Sequence, residues 1–215
     1  QLRTDICTGL YIPGMKGASD NRTNTVRRDI LTSSLLLILP DPGNRLIVLL
    51  LEGPMPKNRL RCDLLARRRG MDQLSWRTAS DAAQQRLIRL DLFRQATCIA
   101  LYSPIQQEID TELLFIEART TGKQILYPVV CGEELLFREV NEPGHRSIGS
   151  FGILEPGLQN RQVSLIEADL IVVPGVAFDL QGHRIGFGKG YYDRCLSQLT
   201  RKVPIAGLCH DFQLL

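Results

Sequence analysis

Nowhere in this 215-residue chain do two cysteines form a C-x-x-C pair. The six it has, Cys7, Cys62, Cys98, Cys131, Cys195 and Cys209, are widely spread. With only His145, His183 and His210 beside them, no zinc-ligand spacing is recognisable. Three of the cysteines sit among apolar neighbours, as reduced core thiols do, so the chain reads as a cytoplasmic protein without a disulfide framework. Charge of one sign is equally scarce. A net charge of +3 mildly favours anionic small molecules but falls well short of a nucleic-acid binder. Long hydrophobic runs are missing too: Ile30–Leu39 is cut off by Asp41-Pro42-Gly43-Asn44-Arg45 before Leu46–Leu51 resumes. A bilayer span needs roughly twenty uninterrupted residues, so no membrane is implied. The polar opening, with Arg3, Asp5 and Lys16, is no secretory signal. Neither an internal repeat nor a low-complexity segment occurs.

What is present suits one domain with an appendage, since single cores commonly use roughly 100–200 residues. The chain starts at Gln1 rather than Met, as a processed product, a fragment or a loose gene-model translation would. Residues 1–29 lack periodicity, and the two apolar runs that follow could pair as a hairpin without polar alternation. Met55 stands just before the first well-patterned helix. Residues 1–54 are therefore expected to be an unassigned leader, non-native or disordered, and residues 55–215 the domain.

From Lys57 onward the pattern is α/β. Lys57–Arg69 is a basic helix with Leu60, Leu64 and Leu65 on its core side. Ser75 can cap a second helix reaching about Arg89, with Ala79, Ala83, Leu87 and Ile88 inward. Strand and helix then alternate: Thr97–Tyr102, the helix Thr111–Thr121 closed by Gly122, then the strands Gln124–Val130 and Leu135–Glu139. After a loop rich in Pro, Gly and Asn, Leu170–Val173 is as apolar as a central parallel strand. Tyr191–Leu199 is a helix and Ile205–Cys209 a last strand. The expected architecture is a mostly parallel sheet with helices on both faces.

Chemistry concentrates after Val173. A strand runs through Pro174-Gly175-Val176-Ala177-Phe178-Asp179 and Gly182-His183-Arg184-Ile185 into Gly186-Phe187-Gly188-Lys189-Gly190, then into a helix opening Tyr191-Tyr192-Asp193-Arg194. Glycines at alternate positions leave backbone N–H groups unshielded and permit positive φ. With the following helix N-terminus they suit phosphate oxygens, and Lys189 and Arg184 supply compensating charge. Neither the Walker A spacing nor the Rossmann G-x-G-x-x-G applies. A plain glycine turn packing a helix on the sheet is the competing reading.

The run from Val173 to Arg194 closely resembles the signature of 5-formyltetrahydrofolate cyclo-ligases, with every fixed position filled. The resemblance extends to Lys57-Asn58-Arg59-Leu60-Arg61, the Arg67-Arg68 pair, Ser80, Tyr102, Glu108-Ile109-Asp110-Thr111, Gly122-Lys123, Pro128, Phe151-Gly152-Ile153, Glu155-Pro156, Gly207-Leu208 and Asp211-Phe212-Gln213. It covers about residues 57–215 and none of 1–54. It implies a three-layer α/β/α fold related to that of sugar-phosphate isomerases and CoA transferases (NagB/RpiA/CoA transferase-like). It also implies conversion of 5-formyltetrahydrofolate and ATP to 5,10-methenyltetrahydrofolate, ADP and phosphate with Mg²⁺.

Carried over position by position, the resemblance puts Lys57, Asn58, Arg59, Leu60 and Arg61 on ATP, together with Arg184, Ile185, Gly186, Phe187, Gly188, Lys189, Gly190, Tyr191 and Tyr192. Glu108 and Ser103 fall at folate contacts, which Phe187, Gly188, Lys189, Gly190 and Tyr191 share. Lys189 and Arg184 are the catalytic candidates, and Asp193 matches a magnesium-associated carboxylate. Lys57 and Arg61, four apart, lie on one helix face. Family members continue past the motif at which this chain stops, so the domain is expected to be C-terminally truncated. A non-catalytic nucleotide- or folate-binding relative of the same fold is the alternative. The intact charged positions argue against it. A sugar-phosphate enzyme would share the phosphate site without explaining the complete signature.

Overall fold

The computed structural model describes residues 56–215 throughout, and before them the backbones of Leu10–Tyr11, Leu35–Pro40 and Leu46–Leu51. In chain order the elements are β1 (Leu10–Tyr11), β2 (Leu35–Pro40), β3 (Leu46–Leu51), α1 (Lys57–Arg69), α2 (Gln73–Ile88), α3 (Asp91–Gln95), β4 (Cys98–Ala100) and α4 (Glu112–Thr120). There follow β5 (Gln124–Cys131), β6 (Glu134–Glu139), β7 (Arg146–Ile148), β8 (Leu154–Pro156), β9 (Gln162–Val163), β10 (Leu170–Val173), β11 (Ala177–Phe178), β12 (Arg184–Ile185), α5 (Tyr191–Ser197) and β13 (Ile205–Leu208). The strands β2 and β3 pair antiparallel as a hairpin. The rest of the expected leader, other than β1, lies outside the described residues.

The main sheet is mixed and mostly parallel, ordered β13-β10-β4-β5-β6-β9, with β1 antiparallel against β13. Its four parallel strands are β13, β10, β4 and β5. The hairpin partner β6 runs antiparallel to β5, and the edge strand β9 antiparallel to β6. Side chains alternate between faces, as a period of two requires. Ile99, Ile125, Tyr127, Leu170, Val172 and Ala206 meet Ala83, Leu87, Phe93, Leu114 and Phe115 of α2, α3 and α4. Cys98, Ala100, Leu126, Ile171 and Val173 instead meet Cys195, Leu196, Leu199 and Val203, on and beyond α5. Full burial of each large side chain contributes about 1.5–3 kcal/mol, so both faces are firmly held.

Helix boundaries differ from the sequence expectation in small ways. The cap of α2 is Asp72, whose carboxylate accepts from the Ser75 N–H at 2.9 Å and the Ser75 hydroxyl at 2.6 Å. Ser75 is thus the capped residue. α5 stops at Ser197, short of Leu199. Of the described cysteines, Cys62, Cys98, Cys131 and Cys195 are free; Cys7 lies outside the described residues. No helix among the described residues is long and apolar enough to cross a membrane.

Two features of this topology place the site. β4 and β10 are parallel neighbours, yet the chain leaves them toward opposite faces, through α4 and α5 respectively. Such a switch opens a crevice at the carboxyl ends of the strands. α1 stands apart from the main sheet. Its Leu60, Leu64 and Leu65 pack with Val176, Ala177 and Ile185 of the β11–β12 hairpin, which brings α1 to the mouth of that crevice.

Candidate active site

The crevice is a cavity of about 980 Å³. Along one wall runs the loop that follows β12. Gly188 and Gly190 take φ of +99° and +71°, the left-handed region that L side chains rarely adopt. Gly190 is the N-cap of α5. Lys189 between them is exposed, and its carbonyl accepts from Arg194 Nη1 at 3.0 Å. The same guanidinium donates to the Glu133 carbonyl through Nε at 3.0 Å and Nη2 at 2.5 Å, and the Tyr191 hydroxyl reaches Gly132 O at 3.2 Å. The glycine loop is therefore fastened to the β5–β6 turn. Beneath it, the Phe178 ring is wedged between Gly175 and Gly207. A Cβ on Gly207 would lie 2.3 Å from that ring.

The basic groups gather here. Lys57, Arg61, Arg184 and Lys189 all line the cavity. Arg61 donates from Nε to Gly186 O at 2.7 Å and from Nη1 to Asn58 Oδ1 at 2.6 Å, tying α1 to the loop. Arg184 pairs with the Asp193 carboxylate and donates to Pro174 O at 3.2 Å. Of the other expected contacts, Ile185, Gly186, Phe187, Gly188, Gly190, Tyr191, Tyr192 and Asp193 line the cavity, whereas Asn58, Arg59 and Leu60 do not. Asn58 supports Arg61, Arg59 is 4.0 Å from Asp63, and Leu60 packs against the β11–β12 hairpin.

At the other end stands Glu108, 4% exposed, on the turn that follows β4. Its Oε2 accepts from the Ile105 N–H at 3.0 Å, while Oε1 has no hydrogen-bond partner. Burial lifts its carboxyl to about 7, against the opposing pull of Arg68. Ser103 also lines the cavity, but its hydroxyl donates to Leu154 O at 2.6 Å, so it holds the β7–β8 hairpin. Pro128, Val130, Leu135, Phe151 and Ile153 form an apolar wall between the two polar ends. Phe151 is exposed, with its ring 6.4 Å from that of Tyr191.

Arg68 and Phe151 are not among the expected site residues, and neither are the wall residues Pro128, Val130, Leu135 and Ile153. Arg68 is fully buried behind Glu108. Its signal was the spacing Leu60, Leu64, Arg68, a four-residue stripe on the core side of α1. Phe151 stands in the Phe151-Gly152-Ile153 stretch that resembles the family, without a role attached to it there. As for a metal, no cluster of three or more ligating side chains occurs among the described residues. Asp193 is a single carboxylate with a side chain 70% exposed. That fits Mg²⁺ only as an ion that keeps its waters and arrives on phosphates.

A family model described as the 5-formyltetrahydrofolate cyclo-ligase family matches residues 55–215, the α/β unit with its cavity. The chain belongs to that family. Among curated cyclo-ligases, it is 32% identical to the 5-formyltetrahydrofolate cyclo-ligase of Haemophilus influenzae over 163 residues, 73% of this chain and 87% of that one. The Mycoplasma pneumoniae cyclo-ligase is 31% identical over 166 residues, 74% and 88% of the two chains. Among solved structures, the chain superposes on the 5,10-methenyltetrahydrofolate synthetase of Aquifex aeolicus with a TM-score of 0.67 at 38% identity, covering 74% of this chain and 80% of that one. The synthetase from Mycoplasma pneumoniae gives 0.62 at 28% identity, covering 75% and 89%.

Proposed function

We propose that this cyclo-ligase family member converts 5-formyltetrahydrofolate to 5,10-methenyltetrahydrofolate, consuming ATP and releasing ADP and phosphate. The observation that carries the assignment is that a glycine loop with four basic side chains and a buried carboxylate face one cavity. A formamide oxygen is a poor leaving group. Transfer of the γ-phosphoryl group to it makes an imidate phosphate. Attack by N10 on that carbon closes the ring; N10 gives up its proton, and the phosphate leaves with the former formyl oxygen. Little covalent chemistry is asked of the protein, so alignment and charge neutralisation do most of the work.

Lys57, Arg61 and the residue 184–192 loop are assigned to ATP, with Lys189 and Arg184 neutralising the transferring phosphoryl group. Glu108 is assigned to the N–H groups of the pterin, with the apolar wall against its rings and Ser103 acting through the β7–β8 hairpin. Asp193 would hold a Mg²⁺ that arrives on the nucleotide and offsets phosphate charge. We further assign residues 55–215 as the catalytic unit. Its helices on both sheet faces support a three-layer α/β/α fold of the sugar-phosphate isomerase and CoA transferase kind. The free buried thiol Cys98 supports a cytoplasmic setting.

The direct test mixes the protein with 5-formyltetrahydrofolate, ATP and Mg²⁺ and follows the near-ultraviolet absorbance of the methenyl product. Product is expected only when nucleotide and divalent metal are both present. Equal turnover without ATP would overturn the mechanism, and nucleotide binding without turnover would favour a non-catalytic relative.

A further inference from the structure

Arg68 is among the largest side chains that the fold buries completely, at 0% exposure. A guanidinium taken out of water is costly unless its donors are met. Here Nε donates to Gln106 O at 2.9 Å and Nη1 to Gly175 O at 3.1 Å. The guanidinium carbon lies 5.5 Å from the centre of the Phe187 ring. Nη2 faces Glu108 Oε1 at 3.7 Å, too far for a hydrogen bond, and neither atom has another partner.

The segment gripped in this way is unusual. Gln106 and Gln107 are consecutive non-glycine residues at φ of 48° and 58°. Such backbone persists only where its surroundings over-determine it. The end of α1 supplies much of that restraint. Besides Arg68, Arg69 donates to Gln106 Oε1 at 3.2 and 2.9 Å, and Gln107 Nε2 donates to Met71 O at 2.9 Å. From the far side, His210 Nε2 lies 3.0 Å from Gln107 O. The product of these contacts is a turn that delivers Glu108 to the cavity.

We propose that Arg68 is the positioning residue for the substrate-binding carboxylate. From outside the cavity it holds the 105–108 turn and offsets the buried charge of Glu108. Its 3.7 Å stand-off leaves Oε1 available to an N–H donor of the bound folate. Arg68 does not line the cavity, so it acts through Glu108 and touches no ligand. The inference rests on the proposed cyclo-ligase activity, because it requires a folate at Glu108.

A double-mutant cycle tests it. Arg68→Met, Glu108→Gln and the double variant are titrated calorimetrically with 5-formyltetrahydrofolate and, separately, with ATP. Each single change is expected to weaken folate binding about 10–100-fold, with ATP affinity held within about 2-fold. The double variant should bind folate no worse than the weaker single variant, since one residue acts through the other. Should Arg68→Met alone fail to fold, the double variant leaves no unpaired buried charge and is compared with Glu108→Gln, with equal folate affinity expected. Additive losses, or an ATP affinity that falls as far as the folate affinity, would reduce Arg68 to a structural bolt. Wild-type folate affinity in Arg68→Met would also overturn its role while leaving the proposed activity intact. A wild-type protein that binds ATP but no folate would instead sink the proposed activity, and this inference with it.

Discussion

Replacing Gly190 by alanine tests how the glycine loop holds Lys189. Gly190 sits at φ +71°, where an L side chain costs about 1–2 kcal/mol. A Cβ there would also lie 2.9 Å from Arg194 Nη1, the atom that donates to the Lys189 carbonyl. Arg194 must therefore yield, loosening the bond that fixes Lys189. For a domain of this size, 1–2 kcal/mol lowers the melting temperature by about 2–8 °C. Weakened placement of one charge-assisted contact should raise the ATP constant about 10-fold. Gly188→Ala is the control. Its φ of +99° is strained too, but no atom lies closer than 3.9 Å to the added Cβ. It should lose stability through strain alone. Thermal melts and ATP titrations on Gly190→Ala, Arg194→Ala and their double variant separate the two causes. If displacement of Arg194 matters, the Gly190→Ala change costs less in the Arg194→Ala background. Wild-type melting and unchanged ATP affinity in Gly190→Ala would refute the account.

Lys189→Ala and Arg61→Ala should each weaken ATP use by about 10–150-fold, from the loss of one charge-assisted contact. Unchanged nucleotide titrations for both would move ATP elsewhere. Since burial sets Glu108 near 7, folate affinity should climb as the carboxyl deprotonates between about pH 6 and about pH 8. Arg68 and, more weakly, Arg184 favour the charged form that accepts the pterin N–H groups, and Tyr102 and Tyr192 flank it. A flat wild-type profile, or an equal climb in Glu108→Gln, would count against that acceptor. Gly207→Ala drives a methyl into the buried Phe178 ring and should destabilise by about 1–3 kcal/mol, as read by chemical denaturation. An unaffected midpoint would mean that the ring can move aside.

Legibility from sequence followed the scale of the physical signal. β10 carries four consecutive apolar residues buried on both faces, and its bounds are those that the pattern predicts. The strands β7, β8 and β9 are only two or three residues long, too short for any periodicity to announce them, and β9 is paired by β6, well back in the chain. Asp72, not Ser75, caps α2; the two share one bonded unit, so either order fits a polar residue before a helix. At the site, the glycine signature makes the loop conspicuous, whereas the Arg67-Arg68 pair stands out only through the family resemblance, with no role attached to Arg68. Three arginines in a row hide the one that turns inward, because burial is decided by what stands opposite. Here that is Glu108 and the carbonyls of Gln106 and Gly175, far off in sequence.

The bond from Arg61 to Gly186 O spans 125 residues, whereas Arg68 reaches Gln106 across only 38. Loop-closure entropy makes the longer link about 1 kcal/mol dearer to form. α5, beyond that link, contains no buried residue. The Glu108 end belongs to the first half of the unit and the glycine loop to its last quarter, although bonds spanning 107 and 103 residues, to Gly175 O and from His210, also hold the Glu108 end. A nucleotide bridging α1 and that loop would act as a clasp between the outermost helices of the unit, slowing amide exchange in α5 and the first turns of α1 together.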